Sequence, residues 1–394
     1  MRRVLYVAPM NVQSGRAHVH NVLKTVESMR DAGAGMHLVL TDVRSVDWAG
    51  VCRAHHIDRP PHMSVIGWIP FSWQVSPNRL LRGLSIFWIQ LAILGFVLAH
   101  LRSFDVLYIR HHRLFVVAWI ARLFGKKTVY ESHYVYIHDR VEQWLTERAV
   151  RGANGVVYIT QALQDFYQTP VVTSCVSRSH AAEPWLFPTA SQRELRDQLH
   201  LPQNANLLVY TGSVGATIQG ISYEVETLID VLVDLPATVH SVIVGVRSDD
   251  RAGDELRARA ERVGVLDRVH LVPWCSRADT YRYLFAGDVL LLPRVGTAPG
   301  SFPSKLYDYL GVGKPIVAAK TPTVNEVLTH EHNALLVDAD HSAEWLMAIN
   351  RLLGDSALGA RLAQAAEQDA QTHSWEARGK SLLAFIDRLY EAAS

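Results

Sequence analysis

The sequence has little of what marks secreted, zinc-binding or nucleic-acid-binding proteins. Its 394 residues contain three cysteines, Cys52, Cys175 and Cys275, with no CxxC spacing. That pattern fits neither a disulfide framework nor a zinc site. An excess of one charge is also missing, because 39 Lys and Arg balance 38 Asp and Glu. A dedicated nucleic-acid binder is usually strongly basic, so nucleic acid is not expected as a partner.

Long hydrophobic runs are scarce, and the one that stands out is Leu84–Leu101. It is 18 residues long, whereas a membrane span needs about 20 apolar residues. A buried core helix, a helix lying on a membrane surface and a true span are all open, although the strand-like run Val106–Ile109 directly afterwards argues against the span. Residues 79–151 carry 11 Lys and Arg against 5 Asp and Glu, a balance that suits an anionic membrane surface or a phosphate.

The N-terminus shows no secretory pattern. Met1, Arg2 and Arg3 precede a short apolar run that Pro9 breaks, so this segment is interpreted as a first strand and not as a signal peptide. We expect a cytoplasmic protein, peripheral on the inner face of the membrane if Leu84–Leu101 lies there.

What the sequence does have is a repeated order of strand, loop and helix. Val4–Ala8 is followed by a polar loop and a helical pattern at His18–Ala32, and Leu207–Tyr210 is followed by a glycine-containing loop and a helical stretch near Val225–Leu232. The remaining strand candidates are Met36–Leu40, Val106–Ile109, Thr128–Tyr130, Val156–Ile159, Ser241–Val244, Val269–Val272, Val289–Leu292 and Pro315–Ala318. Short β-branched runs that alternate with helices are typical of βαβ units.

The predicted fold class is therefore α/β, with two Rossmann-like doubly wound domains. Four prolines punctuate the stretch 170–205, which indicates the seam between them. We place an acceptor-side domain at 1–180 and a second domain at 181–370. Open parallel sheets bind ligands at the carboxyl ends of their strands, so the two domains are expected to face a central cleft.

The stretch from Pro299 to Ala318 is the richest in chemistry. The strand Val289–Leu292 leads through a loop into a helix, with Pro303 expected in the first turn, Ser301 or Ser304 as the cap, and an end at Gly311 or Gly313. A helix N-terminus that follows a strand offers free N–H groups to a phosphate.

Two charged residues follow on that helix. Lys305 would add a full positive charge, and Asp308, on the same face, could accept hydrogen bonds from a vicinal diol such as a ribose. The alternative is a solvated Lys–Asp pair without a ligand.

The run Phe302–Ala318 resembles the nucleotide-sugar site of glycosyltransferase family 4, retaining enzymes of GT-B fold, whose members read close to P-x-K-x-x-x-Y-L/M-x-x-G-K-P-I/V-V-A. Further segments are similar to family elements, more loosely in the first half: Ser14–His20, Tyr130–His133, Val156–Leu163, Tyr210–Ser213, Gln219–Ile221, Asn325–Val337 and Ser374–Glu376. The resemblance implies that residues 371–394 form a C-terminal helix crossing back to the first domain.

The resemblance also implies roles for single residues. Asp308 would bind the ribose, Lys305 and the Ser301–Ser304 backbone would hold the diphosphate, Gly15 would approach the phosphates, and His133 would lie beside the reacting sugar. The full expected site comprises catalytic His133, Lys305 and Asp308, donor-binding Gly15, Arg16, Gly212, Ser213, Arg294, Ser301, Phe302, Pro303, Ser304, Lys305, Leu306 and Asp308, and acceptor-side His20 and Glu131.

The sequence departs from the family where charge matters. The family's E-x7-E motif reads Gly300 and Asp308 here, and its Arg and Lys beside Gly212 are replaced by Ser213 and Gln219. The second glycine of the N-terminal loop is Arg16. A diphosphate leaving group needs positive charge, and Arg16, Arg294 or Lys305 could supply it.

No metal or cofactor is expected. The 19 histidines show no H-E-x-x-H spacing, Asp338-Ala339-Asp340 lies in a C-terminal loop, and GT-B enzymes generally need no divalent ion. Glu131 could be a cleft carboxylate or pair with Arg140. The aromatic cluster is interpreted as mostly core: Trp68, Trp73, Trp88, Trp119, Tyr134 and Tyr136. Trp68 and Trp73 flank Pro70 in a loop, where contact with acceptor or membrane is the alternative.

The expected activity is transfer of a sugar, with retention, from a UDP- or GDP-sugar to a hydroxyl acceptor. The apolar Leu84–Leu101 segment in a basic region favours a lipid-linked or envelope glycan as that acceptor. Two alternatives stay open. One is a non-catalytic nucleotide-sugar-binding subunit, which would explain the missing charges. The other is a UDP-sugar 2-epimerase, which would need carboxylates such as Glu131 and Asp308.

Overall fold

The computed structural model describes all residues except 11, 13–16, 42–45, 67–78, 137–138, 169–172, 215–223, 248–250, 295, 297–298 and 392–394, and of 17 and 79–83 only the backbone. Gly15, Arg16, Gln219, Trp68 and Trp73 therefore lie outside the described residues.

The strands form two sheets in which every described pairing is parallel. The first contains β1 Arg3–Ala8, β2 Gly35–Leu40, β3 His62–Val65, β4 Val106–Ile109, β5 Lys127–Ser132, β6 Gly155–Tyr158 and β7 Thr173–Val176. The second contains β8 Asn206–Thr211, β9 Val239–Val246, β10 Val269–Pro273, β11 Val289–Leu292, β12 Ile316–Ala319 and β13 Leu335–Val337.

Most of the helices connect successive strands, and the last three follow β13. They are α1 Ala17–Asp31, α2 Trp48–Ala54, α3 Arg79–Ala99, α4 Phe115–Leu123, α5 Arg140–Gly152, α6 Gln161–Tyr167, α7 Gln192–Gln198, α8 Thr227–Asp230, α9 Ala252–Arg262, α10 Arg277–Ala286, α11 Lys305–Val312, α12 Ser342–Gly354, α13 Ser356–Thr372 and α14 Trp375–Glu391. The helix predicted near Val225–Leu232 is shorter than expected, because a 3-10 turn, Val231–Asp234, replaces its second half.

Both sheets are doubly wound, which confirms the predicted fold class. The strand orders are β3-β2-β1-β4-β5-β6-β7 and β10-β9-β8-β11-β12-β13. In each sheet the order reverses once, between β1 and β4 and between β8 and β11, and such switch points are where open parallel sheets bind ligands. The predicted strands match observed strands to within two residues at either end, while β3 and β7, at the two edges of the first sheet, and β13 were missed.

The chain divides into two compact units. Met1–Ser179 with Trp375–Ser394 forms one, named here the N-terminal domain, and His180–Ser374 forms the other, the C-terminal domain. Helices cover both faces of the first sheet: α1 and α14 share one core cluster with it, and α3, α4 and α5 share the opposite one. Burial on both faces explains why β1, β4 and β6 read as unbroken apolar runs.

The segment Leu84–Leu101 is a half-buried helix. It lies mostly in α3, which buries Ile93 and Val97 against the sheet and leaves Phe87 and Trp88 exposed. Among the helices of the described residues, none combines the length and the hydropathy needed to cross a membrane.

The expectation that the aromatic cluster is mostly core is wrong for three of its described members. Trp88, Trp119 and Tyr134 are exposed at 54%, 55% and 42%. Trp88 and Trp119 lie on helices that cover the sheet and have an outer side as well as an inner one, while Tyr134 lies in the segment after β5. Composition does not say which side an aromatic residue occupies.

Candidate functional site

The switch point of the C-terminal domain brings two of the predicted residues together. Gly212 directly follows β8, and Lys305 begins α11 after the neighbouring strand β11. The two segments are in contact, because a Cβ built on Gly212 would lie 2.1 Å from Lys305 Nζ.

Lys305 is a buried cation whose neighbours include a neutral phenol. Its Nζ donates a hydrogen bond of 2.7 Å to Tyr210 Oη and lies 4.1 Å from the centroid of that ring. Tyr210 Oη in turn donates to the Ser213 carbonyl at 2.9 Å. Burial holds the pKa of Lys305 well below its ordinary value, and the charge of Asp308 only partly opposes this.

The backbone at Gly212 needs glycine. Its φ is +142°, in the range that L side chains rarely adopt. A Cβ on Gly245, also at positive φ, would lie 2.2 Å from the Gly212 carbonyl oxygen. The backbones of Gly212 and Gly245 and the side chain of Lys305 therefore lie close together at the end of β8.

The N-terminus of α11 differs in detail from the prediction. The helix begins at Lys305 with Ser304 in the N-cap position, and no capping bond from the Ser304 side chain is present. Pro303 lies before the helix and not in its first turn, and its carbonyl accepts from Leu306 N at 3.0 Å. The predicted end is confirmed at Gly313, which adopts a φ of +65°.

Three further donor-site candidates, Ser301, Phe302 and Leu306, make hydrogen-bond or packing contacts around α11. The Ser301 carbonyl accepts a 2.8 Å hydrogen bond from Thr323 Oγ1. Phe302 stacks on Tyr307 with ring centroids 5.3 Å apart, and Leu306 is completely buried in the core.

Asp308 lies in a network that sequence reasoning missed. Tyr281 Oη donates to Asp308 Oδ1 at 2.5 Å, and Arg277 Nη2 lies 3.1 Å from the same oxygen. Arg277 also pairs with buried Glu183 at 2.9 Å. Burial raises the pKa of Asp308, and the Arg277 guanidinium partly opposes the shift. The alternative of a solvated Lys305–Asp308 pair is wrong, because both residues are buried.

Arg294 is held by acidic side chains. Its Nε lies 3.1 Å from Glu224 Oε2, and its Nη2 bonds to Asp340 Oδ1. Asp340 belongs to the D-x-D sequence noted above, while Asp338 pairs with His341 at 3.1 Å. No group of three or more His, Cys, Asp or Glu side chains that could hold a metal occurs in the described part of the chain.

In the N-terminal domain, Glu131 and His133 lie together at the carboxyl end of β5. His133 Nε2 is 2.7 Å from Glu131 Oε1 and 2.9 Å from Arg110 Nε. The other Glu131 oxygen accepts from Tyr108 Oη at 2.5 Å and from Arg378 Nη2 at 2.9 Å. The partner of Glu131 is thus Arg378 on α14, 247 positions away in sequence, and not Arg140.

These contacts set the charge of both groups. Burial alone would raise the pKa of Glu131, but Arg378 and His133 hold it well below its ordinary value. Burial and the neighbouring Arg110 lower the pKa of His133 to about 4. Near neutral pH this site therefore contains a carboxylate closed by guanidinium groups and a neutral imidazole.

His20 lies elsewhere in the same domain, buried on α1. Its Nδ1 is 3.3 Å from His55 Nδ1, and its ring meets that of Trp375 edge-on at 5.9 Å. The structure therefore groups Lys305 with Gly212 and Ser213, groups His133 with Glu131, and places Asp308, Arg294 and His20 in separate networks.

The i,i+4 spacing of Arg277 and Tyr281 was the one available signal for the Asp308 network, since it puts both on one face of α10. Nothing in the sequence linked that face to Asp308.

The C-terminal domain matches a known family. Residues 205–355 match the family described as Glycosyl transferases group 1. A D-inositol 3-phosphate glycosyltransferase of Jonesia denitrificans is 29% identical over 176 residues, which is 42% of this chain and 41% of that protein. The lipopolysaccharide core biosynthesis glycosyltransferase LpsD of Rhizobium meliloti is 28% identical over 134 residues, 34% of this chain and 38% of that protein. The chain thus spans about two-fifths of the length of these relatives.

Solved structures share the fold over nearly the whole chain. Anabaena Alr3699/HepE in complex with UDP superposes with a TM-score of 0.75 and 20% identity, covering 98% of this chain and 100% of that one. Sucrose-phosphate synthase (tll1590) from Thermosynechococcus elongatus gives a TM-score of 0.74 with 17% identity and covers 100% of both chains. At these identities the likeness shows the fold, which is the predicted GT-B type of two Rossmann-like domains.

Proposed function

We propose that this chain is a glycosyltransferase that moves a sugar from a nucleoside-diphosphate donor, UDP- or GDP-linked, to a hydroxyl acceptor with retention. The observation that carries the proposal is the buried Lys305 beside the bare backbone of Gly212 at the switch point. Both residues fall within the segment that matches Glycosyl transferases group 1. The HepE structure contains UDP, which supports a uridine nucleotide as the first donor to try.

In the proposed complex the diphosphate lies at the N-terminus of α11. Lys305 and the first N–H groups of the helix would donate to its oxygens. An anion there would raise the pKa of Lys305 back toward its ordinary value and so stabilise its charged form. That charge would stabilise the diphosphate as it departs. Of the candidates for the missing charge, Lys305 fits better than Arg294, which Glu224 and Asp340 already neutralise.

Asp308 is proposed to accept hydrogen bonds from the ribose hydroxyls. Tyr281 and Arg277 hold one of its oxygens and fix the orientation of the carboxyl group. Aspartate is one methylene shorter than the glutamate of the family pattern, so its carboxyl group cannot reach as far. The contacts with Tyr281 and Arg277 determine where that group lies.

The base in the proposed reaction is the leaving diphosphate. The acceptor hydroxyl attacks the anomeric carbon on the side from which the diphosphate departs, the carbon–diphosphate bond breaks, and the hydroxyl proton passes to the diphosphate. Glu131 is poorly suited as a base, because ion pairs keep its pKa far below neutral pH. The neutral His133 is suited to hydrogen-bonding the sugar or the acceptor.

We propose a lipid-linked or envelope glycan as acceptor, supported by the name of the relative LpsD.

Calorimetric binding of UDP, GDP, ADP and CMP tests the donor site. We expect one nucleoside diphosphate to bind, and Lys305→Ala to weaken it about 10- to 100-fold, as loss of a charged hydrogen bond would. Asp308→Ala should weaken it as well. Lys320→Ala is the matched control, because Lys320 is an exposed lysine of the same domain that pairs with Glu344. If no nucleotide binds, or if the control loses as much affinity, the proposed donor site is wrong.

Product analysis separates the alternatives. Incubation with the donor sugar and lipid-linked acceptors should release the nucleoside diphosphate and give a product with the donor's anomeric configuration. An isomerised donor sugar would indicate an epimerase instead. Tight donor binding without turnover on any acceptor would indicate a binding subunit.

A further inference from the structure

Three neighbouring helices of the N-terminal domain present an unusual outer side. Helices α3, α4 and α5 cover the same face of the first sheet and bury Ile93, Val117 and Val150 in one core cluster. Their solvent side, named here the outer face, consists of the exposed residues of these helices from 84 to 151. It carries no part of the site described above.

On α3 the outer face is entirely apolar. The exposed positions between 84 and 99 are Leu84, Phe87, Trp88, Leu91, Gly95, Leu98 and Ala99. They follow the spacing of a single helical stripe, opposite the buried one. A surface helix of a water-soluble domain normally places charged residues there, so this stripe is typical of a contact surface.

The next two helices extend the stripe and add charge. Val116 and Trp119 are exposed on α4, and Val141 and Trp144 on α5, again at helical spacings. Arginines stand among them at Arg122, Arg148 and Arg151, all exposed. The Arg148 guanidinium lies 5.1 Å from the centroid of the Trp144 ring.

A cavity of about 430 Å³ opens between α4 and α5 on this side. Its lining combines aromatic and basic side chains with a single acid: Phe115, Trp119, Trp144, Glu147, Arg148 and Arg151, with Gly152. Aromatic walls with two guanidinium groups suit a phosphate group carried on an apolar molecule.

We propose that the outer face docks on an anionic lipid bilayer, with a lipid headgroup phosphate entering the α4–α5 cavity. The apolar stripe would lie at the level of the acyl boundary and the tryptophans at the headgroups, where their amphipathic rings are favoured. The arginines would face the anionic surface. A second copy of the chain fits less well, because a two-fold contact would place the same arginine-bearing patch of both copies in one interface.

The docking surface goes beyond sugar transfer and can be tested separately from it. Flotation of the full chain with vesicles of phosphatidylcholine, with or without an equal part of phosphatidylglycerol, measures binding at low and high salt. Wild type should float with the anionic vesicles at low salt and be released at high salt. Arg148→Gln/Arg151→Gln should bind roughly thirtyfold more weakly, since each basic residue near an anionic surface contributes a factor of about five.

A tryptophan pair tests the apolar part. Trp88→Gln/Trp119→Gln should lose roughly tenfold or more of the affinity, because two rings no longer leave water. Trp274→Gln is the matched control, since Trp274 is 65% exposed in the C-terminal domain. Melting temperatures should stay unchanged, because these side chains are at the surface.

Three outcomes would overturn the proposal. Wild type could remain in the buffer with both vesicle types at low salt. The Trp274→Gln control could lose as much binding as the outer-face pair. Sedimentation could show a dimer that Trp88→Gln/Trp119→Gln abolishes while no vesicle binding occurs, which would make a second copy the occupant. None of these outcomes bears on nucleotide binding by Lys305.

Discussion

The two domains share a strand order but bury charge at the carboxyl ends of their strands in opposite ways. In the N-terminal domain the buried Glu131 carboxylate is closed by Arg378, and both groups stay ionised. In the C-terminal domain the buried Lys305 donates to the Tyr210 phenol, and burial lowers its pKa. The first arrangement pairs a carboxylate with a guanidinium, whereas the second is the place where we propose an anionic ligand. A shared topology thus determines where polar groups collect, and the local partners determine how far the charge of each group is compensated.

The largest loss of stability should come from breaking the ion pair between Glu131 and Arg378. Arg378→Met leaves Glu131 buried without its nearest guanidinium and removes the hydrogen bonds to Ser177 and Thr25. We expect a loss of about 3–5 kcal/mol in the free energy of unfolding, measured by urea denaturation. Arg388→Met, at an exposed position on the same helix, is the control and should change it little. Glu131→Gln/Arg378→Met should lose less unfolding free energy than Arg378→Met alone. Equal losses in Arg378→Met and Arg388→Met would contradict a stabilising Glu131–Arg378 ion pair.

The free energy of unfolding should also depend on pH through His133, which contacts Glu131. The pKa of His133 is about 4 in the folded chain against an ordinary 6.5, so the unfolded chain binds more protons between these values. Stability should therefore fall as the pH drops from 6.5 to 4, by up to about 3 kcal/mol from this group. His133→Gln should flatten the profile in that window, and His200→Gln, at an exposed position of the other domain, should not. Superimposable profiles for wild type and His133→Gln would refute this.

The glycine beside Lys305 should tolerate no side chain. Gly212→Ala adds a Cβ that would lie 2.1 Å from Lys305 Nζ, at a φ of +142°. We expect a loss of about 2 kcal/mol or more together with loss of nucleotide binding. Gly264→Ala is the control, since Gly264 also has a positive φ of +73° but open space around it, and it should cost only about 1 kcal/mol. Equal effects on nucleotide binding would remove Gly212 from the site.

The smallest effect on stability should come from removing the lysine. Lys305→Met keeps most of the side-chain volume and removes a charge whose burial is unfavourable. It also removes the hydrogen bond to Tyr210. The net change in unfolding free energy should be within about 1 kcal/mol, although nucleotide affinity falls. Urea denaturation beside Arg378→Met gives the direct comparison. If the two variants lost similar stability, Lys305 would be a structural group like Arg378.

Much of the fold could be predicted because its signals are local. Apolar strands such as Val106–Ile109 and Val289–Leu292 are buried throughout and stand out as short apolar runs. The edge strands His62–Val65 and Thr173–Val176 are half-buried at best and mix polar with apolar residues, so they give no such signal.

The candidate site was predictable only in part. Lys305 and Asp308 came from spacing on one helix and from a family resemblance. Arg277, Tyr281 and Glu183, which surround Asp308, come from other elements, and no periodicity joins positions that lie 27 or more residues apart. The roles assigned to these residues stay predictions until nucleotide binding is measured.

The sequence by itself determined the alternation of strands and helices, the end of the helix after Lys305 to within Gly311 or Gly313, and the segment that carries the nucleotide-sugar pattern. Only the tertiary structure decided that Glu131 is closed by Arg378, that Asp308 is held by Tyr281 and Arg277, and that Trp88 and Trp119 face outward. The physical reason is that propensity and hydrophobic period act between near neighbours, whereas countercharge and exposure depend on which distant surfaces the folded chain brings together.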